Sequence, residues 1–140
     1  MEAGCEKRVF TFSGREVEVL FRVHHSRSGP GLLVLGDSNG LDEGLDARAA
    51  LFGEEGYAVV AFDPRDAEDV VEAAAVLRAL PECRGAIGAV GHGTGGTHAC
   101  RAAAAAGFAA VVVFDPPELT DLGQTLAGMP CPVVLQFGTA

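Results

Sequence analysis

Basic residues are scarce: ten Lys and Arg stand against nineteen Asp and Glu, a net charge of −9, and no basic cluster exceeds the pair Lys7-Arg8. Nucleic acid and anionic membrane surfaces both need a positive patch, so neither is expected as a partner. No apolar run reaches the length of a membrane span, and Met1 to Lys7 lacks the apolar stretch of a secretion signal. A cytoplasmic location is the resulting expectation. The four cysteines, Cys5, Cys83, Cys100 and Cys131, stand singly with no C-x-x-C pair, which speaks against a disulfide framework or a zinc knuckle and predicts reduced thiols. Clustered metal ligands are missing as well. The adjacent His24 and His25 would point to opposite faces of a strand, so neither a metal nor another cofactor is expected.

What is present suffices for one domain. The chain has 140 residues, 49% of them hydrophobic, enough to bury a real core, and residues 1–140 are read as a single unit without linker or repeat. Arg8 to Phe12 and Val17 to Val23 are predicted strands joined at Ser13-Gly14-Arg15, an antiparallel hairpin at the edge of a sheet. A turn at Ser26 to Pro30 leads to Gly31 to Leu35, a continuous apolar run of the kind buried in a parallel sheet. Leu45, Ala49 and Phe52 have helical spacing over Leu45 to Glu55, ended by Gly56. Strand Tyr57 to Phe62 follows, then a helix over about Ala67 to Leu80 with Asp66 as N-cap and Pro81 as its stop. The remaining elements are strand Ala86 to Val90, helix Thr97 to Ala106 closed by Gly107, strand Ala109 to Phe114, helix Leu119 to Ala127 and strand Val133 to Phe137. Alternation of this kind implies right-handed βαβ units and an α/β fold, a mostly parallel sheet of about seven strands covered on both faces to give three αβα layers.

Between Val90 and Thr97 lies Gly91-His92-Gly93-Thr94-Gly95-Gly96, a glycine turn between strand and helix. Two chemistries use such a turn. In a nucleophile elbow, Gly-x-Ser-x-Gly or Gly-x-Cys-x-Gly, small residues flank a strained residue that attacks a carbonyl. In the dinucleotide fingerprint, Gly-x-Gly-x-x-Gly, the backbone closes on a pyrophosphate at a helix N-terminus, and Asp115 stands about where a ribose-binding acid belongs. Against the second, this unit comes third in the chain, whereas the fingerprint usually opens a Rossmann fold.

Several segments together resemble the dienelactone hydrolase family of the α/β-hydrolase fold, from about Val17 to Thr139. Leu32-Leu33-Val34-Leu35-Gly36-Asp37-Ser38-Asn39-Gly40-Leu41 is similar to that family's third strand and oxyanion loop, with an acidic residue ahead of the Gly-Leu pair. Glu54-Glu55-Gly56-Tyr57-Ala58-Val59-Val60-Ala61-Phe62-Asp63-Pro64 resembles its next strand, Val90 to Gly96 its elbow, and Pro130 to Gly138 the strand that leads to its catalytic aspartate. The resemblance implies the strand order 1-2-4-3-5-6-7, without the last strand and helix.

The departures bear on activity. Gly93 occupies the nucleophile position, the segments carrying the family's Asp and His are expected beyond Ala140, and the insertion after the fourth strand is nearly absent. With the triad missing, covalent hydrolysis is not expected. The resemblance makes the backbone N–H groups of Ser38 and Thr94 the oxyanion donors, and the gap at Gly93, beside Asn39 and Asp115, room for a ligand. Asp37 is read as a base or polar anchor, or else as a solvated loop acid. His92 is read as packing beneath the turn, or else as a base. His98 is assigned to the helix surface or core, and Asp115 to turn formation or ligand binding. The expected function is binding of a small carbonyl or carboxylate compound, or of a protein partner, without the usual hydrolysis. The alternatives are non-covalent acid/base catalysis by Asp37 or His92, and a dinucleotide-binding Rossmann-like domain. The apolar last strand, left at an edge, predicts a homodimer through it or a partner chain that covers it.

Overall fold

Ser13 and Gly14 both adopt positive φ, 51° and 79°, as a two-residue hairpin turn requires when it must match the twist of its strands. They join β1 (Glu6–Phe12) to β2 (Arg15–Arg22), the antiparallel edge read from the sequence. The computed structural model describes residues 5–23, 28–117 and 119–137. His24-His25 and Ser26-Arg27 of the expected turn lie outside them. The sheet continues with β3 (Gly29–Leu35), β4 (Ala58–Phe62), β5 (Cys83–His92), β6 (Val111–Phe114) and β7 (Val133–Gln136). Its order is β1-β2-β4-β3-β5-β6-β7, as expected, with β2 antiparallel to β4 and the later pairs parallel.

Four helices complete the alternation: α1 (Glu43–Glu54), α2 (Ala67–Ala79), α3 (Thr94–Ala106) and α4 (Leu119–Ala127). Successive strand residues point to opposite faces, and this sorts the core into two layers. Leu33, Leu35, Val60, Phe62, Ile87 and Val113 form one layer beneath α2 and α3, joined by Leu122 of α4. Leu32, Val34, Val59, Ala61 and Val90 form the other, beneath Leu45 and Ala49 of α1. The expectation that both faces are covered holds over β4 and β3. At the β7 end Val134 is 54% exposed, α1 being the only described helix in that second layer.

Element ends moved for identifiable reasons. Helix α1 starts before Leu45 because Asp42 caps it, its Oδ1 accepting from Leu45 N at 2.9 Å. Strand β5 begins at Cys83 rather than Ala86, pairing with Gly29 across an irregularity in β3. Helix α3 starts at Thr94 rather than Thr97 even though Gly95 and Gly96 are poor helix formers. Close packing overrides propensity there. A Cβ on Gly95 would overlap the Gly36 carbonyl at the end of β3, and one on Gly96 would overlap Val113 of β6.

Candidate functional site

The carboxyl ends of β3, β4, β5 and β6 meet at one rim of the sheet, where ligands bind in open α/β folds. The rim is built around Gly93. At φ 57° and ψ −126° it turns β5 sharply into α3, in a region that side-chain-bearing residues rarely occupy. Its N–H donates to the Phe114 carbonyl at 2.8 Å, and its own carbonyl accepts from Gly96 N at 3.1 Å, opening the helix. A Cβ on Gly91 would overlap the backbone of Gly96, so the elbow closes on itself. Packing thus accounts for the spacing that also satisfies Gly-x-Gly-x-x-Gly.

Asp37, at the start of the loop after β3, fills the space over Gly93: a Cβ there would run into its carboxyl group. One oxygen, Oδ1, accepts from Thr94 N and from Thr94 Oγ1, both at 3.0 Å. A carboxylate therefore sits on the first amide of α3, where the helix dipole favours negative charge. The N–H of Thr94, expected to face an oxyanion, is already engaged. So is the other expected donor. Ser38 N donates to Asp63 Oδ1 and Gly40 N to Asp63 Oδ2, each at 2.8 Å, so Asp63 at the end of β4 holds the loop by both oxygens. Ser38 and Gly40 reach this geometry at positive φ, 68° and 70°. The same occupancy corrects the dinucleotide reading: a pyrophosphate at this helix N-terminus would have to displace the Asp37 carboxylate, and the strand order is not that of a Rossmann fold.

Beside this loop lies a polar cleft of about 210 Å³. Asp37, Asn39, Asp42, Leu45, Arg48 and His92 line it, together with glycines of the loop. Three residues named from the sequence, Asp37, Asn39 and His92, are thus brought together. Ser38, Gly93, Thr94 and Asp115 are not in its lining. Arg48, on α1, was not singled out in the sequence. It belongs to no motif, and only its place on a helix face turned to the rim reveals it. Its Nε is buried without a hydrogen-bond partner among the described residues, and so is His92 Nδ1.

Of the two roles weighed for His92, its surroundings bear on the packing one. Its ring stacks on Phe114 at a centroid distance of 4.8 Å, and it also lines the cleft. Burial lowers its pKa below the usual 6.5, and the charge of Arg48 adds to that effect, while Asp115 and Asp37 oppose it. A neutral imidazole at neutral pH follows. Asp115 takes a positive φ of 54° just beyond β6 and donates its N–H to the Gln136 carbonyl at 2.8 Å. His98, on α3, is half-buried, and burial lowers its pKa also.

All four cysteines are free. Burial pushes Cys5 up to about 12 and Cys100 up to about 11, and it raises Cys83 and Cys131 as well, so thiolate is scarce at neutral pH. No group of three or more His, Cys, Asp or Glu that could hold a metal lies among the described residues. No described helix is long and apolar enough to cross a membrane. A larger groove of about 310 Å³ lies at the opposite end of β3, β5 and β6. Its lining is almost wholly apolar, with Tyr57 its only polar side chain.

No protein-family model matches the chain, and no curated protein does. Solved structures do. A dienelactone hydrolase-like promiscuous phosphotriesterase from metagenomic libraries is 22% identical, with a TM-score of 0.82 over 96% of this chain and 68% of that one. An α/β hydrolase from Penicillium sp. sh18 is 23% identical, with a TM-score of 0.71 over 79% of this chain and 45% of the other. A hypothetical protein from Pseudomonas aeruginosa is 24% identical, with a TM-score of 0.69 over 86% and 46%. The chain spans less than half the length of the latter two. Likeness at this level shows the fold, a seven-stranded mixed sheet of the α/β-hydrolase kind.

Proposed function

We propose that this chain is a dienelactone hydrolase-like domain that binds a small carbonyl or carboxylate compound in the cleft lined by Asp37, Arg48 and His92, without hydrolysis through a covalent acyl intermediate. The observation that carries this reading is the carboxylate of Asp37 lying over Gly93 and on the Thr94 amide. Acyl transfer needs a nucleophile at that point and free donors for the oxyanion that forms. Here a glycine supplies no nucleophile, and the two expected donors face carboxylates. A developing oxyanion would meet negative charge where it needs positive.

The test is turnover of a panel of activated esters and lactones by the purified chain, with Asp37→Asn as control. The expected result is no rate above buffer for either protein. Turnover by the wild type that Asp37→Asn abolishes would replace this reading with non-covalent chemistry, such as proton transfer, cyclisation or direct attack by water. A specific observation keeps that second reading in place. Among the described residues Asp37 Oδ2 accepts no hydrogen bond and His92 Nδ1 has no partner, so both groups keep an unused hydrogen-bonding position beside the cleft. We further infer a homodimer through β7 and a cytoplasmic location, the latter supported by four free thiols.

A further inference from the structure

The cleft holds charges of both signs that do not neutralise one another. Arg48 forms no ion pair with a described carboxylate, and its Nε is buried without an acceptor. Asp37 and Asp42 line the same cleft. Each commits Oδ1 to a backbone amide at a helix N-terminus, Thr94 N for Asp37 and Leu45 N for Asp42. Their Oδ2 atoms accept nothing from the described residues. His92, held neutral by burial, adds no positive charge. The lining thus presents one half-buried cation that forms no ion pair with a described carboxylate and two exposed carboxylates with a spare oxygen apiece, and leaving the Arg48 Nε buried without an acceptor is costly.

We propose that the cleft takes a small zwitterion, an α-amino acid or similar aminocarboxylate, with its carboxylate on the guanidinium of Arg48 and its ammonium group between Asp37 and Asp42. The proposal rests on the reading of the cleft as a ligand site and adds a second, cationic pole to the carboxylate ligand inferred there. A simple carboxylate would satisfy Arg48 but face two acids. A simple amine would satisfy the acids and leave Arg48 without a counter-charge. Only a ligand with both poles meets the whole lining. Leu45 gives the ligand's carbon chain an apolar wall. The volume of about 210 Å³ lies below the roughly 300–1,000 Å³ of pockets for drug-sized molecules, so the ligand is of metabolite size.

Three probes of matched carbon skeleton separate the cases: 2-aminobutyrate, butyrate and propylamine, each titrated into the full chain by calorimetry and by NMR. The expected result is 2-aminobutyrate binding about ten-fold or more tighter than either single-charge probe, the scale of one charge-assisted hydrogen bond. Arg48→Gln should reduce its affinity to that of propylamine. Asp37→Asn combined with Asp42→Asn should reduce it to that of butyrate. Each Asn keeps the oxygen that accepts from Thr94 N or Leu45 N, so these variants remove charge and leave the caps, and the wild-type comparison stands without any variant. Butyrate binding as tightly as 2-aminobutyrate overturns the zwitterion and leaves the carboxylate reading intact. Propylamine binding as tightly removes the role of Arg48 and overturns both. Absence of binding by all three at millimolar concentration likewise overturns both.

Discussion

The carboxyl group of Asp37 lies where a side chain on residue 93 would have to be, so the two positions exclude each other's alternatives. The glycine at position 93 and the acid beside it are therefore one feature. Gly93 is needed twice over, for its φ of 57° and for the space that Asp37 takes. Gly93→Ser should destabilise the fold by about 1–3 kcal/mol from backbone strain and by about as much again from overlap with Asp37. Only the second part is relieved by Asp37→Ala. A double-mutant cycle by urea denaturation should give a coupling of roughly 1–3 kcal/mol, and strictly additive effects would show that the two groups do not compete for the same space.

Asp63 fixes the loop that carries Asp37. Its two oxygens take Ser38 N and Gly40 N, so Asp63→Ala releases two donors at once and Asp63→Asn leaves one acceptor in place. The expected order of stability is wild type, then Asn, then Ala. Hydrogen bonds to a charged group contribute about 1.5–3 kcal/mol, and these sit on the surface, so the lower end applies. Hydrogen exchange at the Ser38 and Gly40 amides should accelerate in the Ala variant while exchange in β3 stays slow. Unchanged exchange at both amides would remove Asp63 from this role.

The alternation of elements and the elbow were legible in the sequence because each depends on local pattern, apolar runs between breakers, an N-cap at Asp66, glycines at a turn, whereas the strand order followed only from the family resemblance. What escaped was set by tertiary contact. Arg48 stands on α1 with no motif around it, and nothing in residues 43–54 tells which face turns to the rim. The direction of the Ser38 and Thr94 amides depends on side chains distant in sequence, Asp63 and Asp37. Thr94 to Gly96 read as turn rather than helix because propensity weighs against glycine, while packing against Gly36 and Val113 demands it. The acid at position 37 was visible as a candidate, but its place over Gly93 was not.

His92 makes the cleft sensitive to pH. Burial, then Arg48, lowers its pKa in the folded chain below the usual 6.5, so on acidification the unfolded chain takes up a proton before the folded one does. Stability therefore rises with pH through that window and is lost as pH falls from 6.5 toward the folded-state value. His98 is shifted in the same direction and contributes to the same slope. An NMR titration should place the His92 midpoint below 6.5, and Arg48→Gln should move it upward. A midpoint at or above 6.5 would mean that Asp115 and Asp37 outweigh burial and Arg48. Substituting His92→Gln should flatten part of the acid-side slope, leaving the share due to His98.

Strand β7 ends the sheet, paired with β6 on one side and with no described strand on the other. Exposed edge strands with apolar side chains tend to find a second strand, and natural edges are commonly protected by charge, proline or cover. Here Val134 is 54% exposed and Phe137 52%, and Val133 to Gln136 carries no charged residue. An antiparallel pairing of two β7 strands about a twofold axis would continue the sheet across both copies and cover these side chains from each. Sedimentation at micromolar concentration should therefore show a dimer. Val134→Lys places a charge on that face and should shift the population to monomer with little loss of fold stability, since the side chain is already largely in solvent. A wild-type chain that sediments only as monomer would mean that this edge is left open or is covered by a different partner.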